Sequence, residues 1–329
     1  RQMCIRDRGY TWQYALTAVF AEGIIFILLS LTNVREAIFN AIPMNLKSAV
    51  SVGIGLFIAF VGLQNAHIVV GGSTLLQLFS VDAYNKANGV EASFNNVGIT
   101  VILALAGIII TGILVVKNIK GNILWGILIT WGLGIICQFA GLYVPNADLG
   151  FYSLLPDFSK GLSIPSLAPI FGKLQFKGIF SVDFIVILFA FLFVDLFDTI
   201  GTLVGVSAKA DMLDEEGKLP HIKGALLADA VATTVGAILG TSTTTTFVES
   251  ASGVSEGGRT GLTAVTTAIL FGLSLFLSPI FLAIPSFATA PALVIVGLYM
   301  LSNVTIINFT DMSEAIPAYV CIIAMPFFY

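Results

Sequence analysis

Six consecutive hydroxyl side chains, at residues 241–246 (TSTTTT), lie between apolar segments long enough to cross a bilayer. Phe247, Val248 and the carboxylate of Glu249 follow directly. A lipid-facing helix needs no such run, and irregular polar backbone is tolerated at membrane depth only where it is buried in protein or lines a cavity. The sequence therefore predicts a binding site in this run.

The surrounding composition is that of a polytopic membrane protein. Hydrophobic residues make up 57% of the 329 residues and charged residues 10%, whereas soluble domains carry about 25% charged residues. The net charge of −4 is small and gives no indication of nucleic-acid binding. The sequence has no phosphate-binding GxxxxGK[ST] loop, and its three cysteines and two histidines lack metal or disulfide spacing. We therefore expect an all-α membrane protein that is not an enzyme and uses no metal or cofactor.

Membrane helices need about 20 mainly apolar residues. The candidate spans are 12–31, 48–70, 96–116, 122–144, 183–206, 222–240, 261–284, 287–307 and a truncated segment from 316 to the last residue. Segment 241–258 is too polar for an ordinary span. It predicts a short extended piece followed by a half-helix that ends near Gly257 and Gly258, because paired glycines break helices.

The connections between spans differ in their positive charge. The first, third, fifth and seventh connections hold eight lysines and arginines, Arg35 and Lys47 among them, whereas the alternate connections hold four. Cytoplasmic loops are enriched in these residues, so we predict that the first set faces the cytoplasm. Residues 1–8 (RQMCIRDR) are highly charged and do not form a signal peptide, because no apolar region and cleavage site follow in the usual order. We expect a foreign leader there, and we expect the chain to be a fragment.

Two short sequences recur in the same order. Residues 16–19 (LTAV) return at 262–265, and residues 41–43 (AIP) return at 283–285. The copies lie seven membrane elements apart, which reverses their orientation and predicts an inverted repeat. Inverted repeats with a midplane site on broken helices are typical of secondary transporters. The alternative is chance similarity between apolar segments.

Carboxylates within spans are rare, because each costs about 2.5–3.5 kcal/mol on insertion scales. Asp195, Asp198 and Thr202 follow the spacing i, i+3, i+7, so a helix would place them on one face. Two acids one turn apart at low dielectric do not both ionise readily. We therefore predict proton uptake and release at this pair; helix packing through hydrogen bonds is the alternative.

Glu249 begins the predicted half-helix, where backbone N–H groups lack partners. A carboxylate beside free N–H donors complements the N1–H donor and O6 acceptor of guanine and hypoxanthine. The further candidates are the hydroxyls of Thr245, Thr246 and Ser250 and the ring of Phe247, which could stack on a flat base. Single acids at Glu22 and Asp229 are supporting candidates, with packing against another helix as the alternative.

Three runs resemble the azaguanine-like purine permeases of the nucleobase:cation symporter-2 group. They are 195–202 (DLFDTIGT), 240–261 (GTSTTTTFVESASGVSEGGRTG) and 313–318 (SEAIPA). The resemblance implies fourteen membrane segments in two inverted sets of seven. It also implies core and gate domains and, in segments 3 and 10, a short strand and half-helix at the midplane. Asp198 and Glu249 carry over as site acids, Asp195 as a nearby acid of the same motif, and Asp311 as a weaker match.

On this scheme the chain begins at segment 4. Residues 9–31 would be core segment 4, and residues 32–182 would be gate segments 5–7 with a long outside loop. Residues 183–284 would hold core segments 8–11 with the site, and residues 285–329 gate segments 12 and 13. Segments 1–3 and the last one to two segments would be missing.

The resemblance implies proton-coupled symport of purine nucleobases across the cytoplasmic membrane. Hypoxanthine, guanine and adenine are the family's substrates, moved by an elevator-like displacement of core against gate. The expected partners are the purine, protons and the lipid bilayer, with homodimerisation left open and no nucleic acid. An anion permease of the same fold would favour cationic or neutral site residues. A channel would need a polar face along several spans, and a non-transporting remnant is a third alternative.

Overall fold

The computed structural model describes residues 11–72, 75–159, 164–214 and 218–328. The predicted leader, residues 1–8, lies outside the described residues. The helices are α1 (Trp12–Leu31), α2 (Val34–Ala41), α3 (Met44–Asn65), α4 (Val81–Asn88), α5 (Ile99–Val116), α6 (Asn122–Phe139), α7 (Val182–Lys209), α8 (Ile222–Leu239), α9 (Ser250–Ser255), α10 (Gly261–Phe276), α11 (Ser278–Ala283), α12 (Ser286–Leu301) and α13 (Met312–Phe328). A π-helical turn, Phe94–Gly98, leads into α5, and 3₁₀ turns cover Ala147–Leu149 and Ser302–Ile306.

Within the described residues, seven helical stretches are long and apolar enough to cross a membrane. They are Trp12–Leu31, Met44–Asn65, Phe94–Val116, Asn122–Phe139, Val182–Lys209, Ile222–Leu239 and Ser286–Ile306. Large apolar side chains remain exposed, with Val116 at 81% and Phe180 at 92%. Exposed apolar surface on this scale suits a lipid environment, so the prediction of a polytopic membrane protein is confirmed.

The span predicted over 48–70 is wrong at its end. Helix α3 stops at Asn65, and the chain turns at His67, whose φ is 60°. Strand β1 (Val69–Gly71) then pairs antiparallel with β2 (Leu76–Leu78), Val69 opposite Leu78. β-Branched valines favour strands, so a mostly helical chain includes this short hairpin, which the all-α prediction omitted.

The predicted span over 261–284 is also interrupted. Helix α10 ends at Phe276, and α11 begins at Ser278 with Pro279 in its first turn. Proline has no N–H for a preceding turn but fits the start of a helix. Two short helices therefore occupy the place of one continuous span.

The chain falls into two compact units. The first contains the described residues within 1–54, 166–248 and 303–325, and the second contains those within 55–165, 249–302 and 326–328. Assignment of core and gate domains stays a prediction, as does the inverted repeat.

Helix α1 organises the first unit by packing against both α7 and α8. Tyr14, Phe184 and Phe191 belong to one apolar cluster there, and the ring of Tyr14 meets that of Phe184 edge-on at 5.3 Å. A second cluster contains Phe39 of α2 and Leu226 of α8. These helices form the frame in which the hydroxyl-rich run lies.

Helices α5, α6 and α12 pack together in the second unit. Their core contains Leu103, Ala104 and Phe287. The same unit encloses a cavity of about 380 Å³, whose lining includes the aromatic rings of His67 and Tyr84. None of the predicted site residues lines this cavity.

Candidate functional site

Residues 241–247 have no regular secondary structure. They leave α8 at Gly240, whose φ of 92° ends the helix, and lead to the short helix α9. The predicted half-helix is confirmed, and it ends before Gly257, whose φ is 105°. The resemblance implied a short strand here, and that prediction is wrong, because none of these residues belongs to a strand.

Carboxylates from three helices hold this segment in the first unit. The hydroxyl of Thr243 donates to Glu22 Oε2 of α1 at 3.3 Å. The hydroxyl of Thr245 lies 3.4 Å from Asp198 Oδ2 of α7. The backbone N–H of Thr246 donates to Asp229 Oδ1 of α8 at 3.0 Å. Three carboxylates and a run of hydroxyls thus surround one length of extended chain.

Thr244 is anchored separately. Its carbonyl oxygen accepts a hydrogen bond of 3.1 Å from the buried hydroxyl of Thr233 on α8. Gly236, one turn further along, lets the segment approach, because a Cβ added there would lie 2.6 Å from Thr244 Oγ1.

Arg35 lies at the centre of a buried charge cluster beside the segment. Its guanidinium donates to Asp229 Oδ2 at 2.8 Å and lies 3.8 Å from Asp195 Oδ2. It also donates to the carbonyl oxygen of Leu226 at 3.0 Å and to Thr199 Oγ1 at 3.4 Å. Arg35 is completely buried. Arg35 lies in the predicted connection between two spans, where α2 directs its side chain into the unit; the cytoplasmic side of this connection stays a prediction.

The predicted acid face of α7 divides between two environments. Asp195 is completely buried and faces Arg35, whereas the half-buried Asp198 faces Thr245. Thr202 is completely buried, and its hydroxyl has no hydrogen-bond partner among the described residues. The i, i+3, i+7 spacing predicted that Asp195 and Asp198 lie on the same side of the helix. In the structure Asp195 faces Arg35, whereas Asp198 faces Thr245.

Glu249 and Ser250 belong to the second unit. Glu249 precedes α9, is exposed, and its carbonyl oxygen accepts from the N–H and the hydroxyl of Ser252 at 3.0 and 2.7 Å. Ser250 is exposed at the first position of α9. The role of both residues in binding stays a prediction.

Two further candidates are exposed. Phe247 exposes 57% of its surface. Asp311 Oδ1 accepts from the backbone N–H and the hydroxyl of Ser313 at 2.9 and 2.7 Å. These hydrogen bonds lower the pKa of Asp311. Asp311 therefore orders the turn before α13, a local role that does not depend on a ligand.

Sequence reasoning did not identify Arg35, Thr199 or Thr233 as part of the site. Thr199 follows Asp195 by four residues, and Thr233 follows Asp229 by four. Residues four apart share a helix face, so this repeated acid–threonine spacing could have pointed to both threonines. No signal of that kind marks Arg35, because its partners lie on other helices.

The sequence model of the Permease family, Xan_ur_permease, matches residues 3–327. The chain belongs to this family. The family comprises transport proteins of the nucleobase:cation symporter-2 group, so the permease is not an enzyme. With its several spans, it is a multi-pass integral protein of the cell membrane. The match covers nearly the whole chain and gives no support to the expectation that membrane segments are missing.

Two relatives from Bacillus subtilis (strain 168) are named guanine/hypoxanthine permeases. The permease is 42% identical to PbuO over 323 residues, which cover 97% of this chain and 68% of PbuO. It is 42% identical to PbuG over 321 residues, which cover 97% of this chain and 66% of PbuG. The permease therefore spans about two thirds of the length of these relatives.

A solved structure shares the fold. The transmembrane domain of a cyanobacterium bicarbonate transporter, BicA, superposes with a TM-score of 0.60 and 17% sequence identity. The likeness covers 96% of this chain and 75% of that domain. At this identity the likeness shows the architecture, and substrates differ widely among proteins of one fold.

Proposed function

We propose that the permease moves purine nucleobases, hypoxanthine and guanine first, across the cell membrane together with protons. Its membership of the permease family and the names of its guanine/hypoxanthine relatives support the substrate class. Adenine is a further candidate substrate. No cofactor enters the proposal, since a proton gradient would supply the driving force.

The observation that carries the proposal is the arrangement of Thr243, Thr245 and Thr246 against Glu22, Asp198 and Asp229. Guanine and hypoxanthine present an N–H donor beside a carbonyl acceptor. A carboxylate has further lone pairs that can accept from this donor, and a threonine hydroxyl that turns away from its carboxylate can donate to the O6 acceptor. Asp198 is the half-buried acid of α7 that contacts the hydroxyl run, with Oδ2 3.4 Å from Thr245 Oγ1, so we assign it to purine binding and proton coupling.

The proposal also includes further site residues and a transport mechanism. Glu249 would complete the site as a second acceptor for purine N–H groups and take part in proton coupling, with Thr202, Ser250 and Phe247 as further contacts. The protein would work by alternating access, with a core domain moving like an elevator against a gate domain. The two inverted sets of seven segments, and a homodimer, belong to this proposal.

An anion permease is the rival that shares the fold, because BicA transports bicarbonate. The negative charges near residues 241–247 disfavour transport of an anion. Glu22 and Asp198 each place a carboxylate within 3.4 Å of the hydroxyl run, and the charge of Asp229 is paired with Arg35. Like charges repel at close range and low dielectric, so a small anion would be disfavoured there.

The test is uptake of labelled hypoxanthine and guanine by the full-length protein in cells without purine uptake, at several pH values. We expect saturable uptake that rises as the external pH falls, and loss of that uptake in Asp198→Asn and Glu249→Gln. Asp183→Asn is the matched control, because it makes the same change at an exposed position of the same helix, α7. Wild-type uptake in both site variants, or uptake of bicarbonate instead of purine, would reject the proposal.

A further inference from the structure

We propose that Arg35 and Asp229 form an ionic clamp that positions the hydroxyl-rich segment, with Asp195 and Thr199 as the remaining members of the clamp. The inference rests on the proposed function in taking residues 241–247 as part of the purine site. It assigns Arg35, Asp229, Asp195 and Thr199 to positioning rather than to contact with the purine.

Burial of the charged Arg35 side chain is costly. A buried guanidinium is tolerated only when charges and hydrogen-bond acceptors surround it. Arg35 meets that demand with Asp229 at 2.8 Å, the carbonyl of Leu226 at 3.0 Å and Asp195 at 3.8 Å. Its guanidinium carbon also lies 4.0 Å from the ring centroid of Phe26, a cation–π distance. The side chain is therefore fixed from several directions.

The two carboxylate oxygens of Asp229 have different partners. Oδ2 accepts from Arg35 and lies 3.2 Å from the hydroxyl of Thr199, whereas Oδ1 accepts from the backbone N–H of Thr246. One carboxylate thus joins the ion pair to the backbone of the segment. Any rotation that follows a displaced Arg35 would move Oδ1 away from Thr246.

The clamp controls the position of Thr246 and of the hydroxyl groups next to it. Thr246 lies next to Thr245, whose hydroxyl faces Asp198 at 3.4 Å. A backbone held at Thr246 sets where that hydroxyl and the neighbouring ones point. Sites for small polar ligands depend on such support, because a loosely held group loses the geometry needed for binding.

Four variants of the full-length protein test the clamp through the KM and maximal rate of hypoxanthine uptake. Asp229→Asn keeps an oxygen that can accept from Thr246, whereas Asp229→Leu keeps the approximate volume but has no acceptor. We expect the KM of Asp229→Leu to rise about tenfold or more and that of Asp229→Asn to rise by a smaller factor, because the amide keeps an acceptor for Thr246 but loses the charge that pairs with Arg35. We expect Arg35→Gln to raise the KM about tenfold, because two carboxylates lose their cation, and the double variant Arg35→Gln/Asp229→Asn to recover to within about threefold.

A second measurement follows the segment without any purine. Ser242 is exposed, so Ser242→Cys, in a chain whose three native cysteines are replaced by alanine, reports on the segment through its rate of maleimide alkylation. We expect that rate to rise about fivefold in Asp229→Leu and in Arg35→Gln, and to return towards the parent value in the double variant. This measurement separates the two proposals. If the wild type neither binds nor transports a purine, the proposed function fails, while the alkylation rates still test the clamp.

Equal KM values and equal alkylation rates for Asp229→Asn and Asp229→Leu would overturn the clamp, since they would leave only a role in stability. Absence of recovery in the double variant would overturn it as well. If Arg35→Gln does not reach the membrane, Arg35→Lys takes its place. It keeps the charge but not the forked geometry that reaches Asp229 and Leu226 together, and the clamp predicts a raised KM for it also.

Discussion

Replacing Thr233 by valine removes one hydroxyl at nearly constant volume. The hydroxyl of Thr233 is the donor that holds the carbonyl oxygen of Thr244, at 3.1 Å, and Thr233 is completely buried. A typical hydrogen bond contributes about 1 kcal/mol net, and a buried acceptor left without a partner costs about 1–3 kcal/mol. If about 1–2 kcal/mol of binding free energy is lost, the dissociation constant for the purine rises by a factor of about 5–30.

Thr234→Val on the same helix is the matched control. The Thr234 hydroxyl donates to the carbonyl of Ala230, four residues back in α8, at 2.9 Å. That carbonyl is part of the helix's own hydrogen-bond ladder, so loss of the hydroxyl does not orphan it. The chemical change is the same, but the contact with the hydroxyl-rich segment is present only at Thr233.

The assay is equilibrium binding of labelled hypoxanthine to the purified full-length protein, together with thermal unfolding in detergent. We expect Thr233→Val to raise the Kd about 5- to 30-fold, and Thr234→Val to change it by less than about twofold. Equal Kd values for the two variants would refute the reasoning that the segment is held by α8 in its binding arrangement. So would a loss of thermal stability in Thr233→Val without any change in Kd.

Three further variants test separate parts of the account. Gly236→Ala should raise the KM for hypoxanthine, because its Cβ would lie 2.6 Å from Thr244 Oγ1; overpacking of this kind costs about 1–3 kcal/mol, and a wild-type KM would contradict the close approach. Asp198→Asn should make residual uptake independent of external pH, and an unchanged pH profile would remove Asp198 from proton coupling. Burial lowers the pKa of His67, so the folded protein binds fewer protons than the unfolded chain. The stability that the neutral His67 side chain contributes is therefore present above about pH 6.5 and is lost as the pH falls. His67→Asn, which suits the left-handed backbone, should lose less thermal stability on acidification than the wild type, and an equal loss would contradict the pKa shift.

The membrane class, most spans and the broken segment could be predicted because each depends on local sequence. The half-helix after residue 249 follows from the paired glycines at 257 and 258, and the long spans follow from apolar length. The ends of α3 and α10 could not be placed. Apolar residues continue past Asn65 in a hairpin and past Phe276 in a second helix, so hydropathy does not mark either end.

The site was predicted as residue types, while its pairing came from the packing of the helices. Asp198 and the hydroxyl run were candidates from sequence, and the structure brings Asp198 to Thr245. The roles of Glu22 and Asp229 were open until α1 and α8 placed them against Thr243 and Thr246. Arg35 was predicted only as a charge in the connection between two spans, and the direction of α2 within that connection shows that its side chain is buried.

Isothermal titration calorimetry of hypoxanthine with the purified full-length protein, on the wild type and on Asp198→Asn, tests whether Asp198 binds the purine. We expect saturable binding to the wild type and a Kd raised about tenfold or more in Asp198→Asn, because a purine N–H would lose its charged acceptor. We expect little change in Asp183→Asn, the exposed control on α7. The same affinity for wild type and Asp198→Asn would contradict the claim that the acid beside the hydroxyl-rich segment binds the purine.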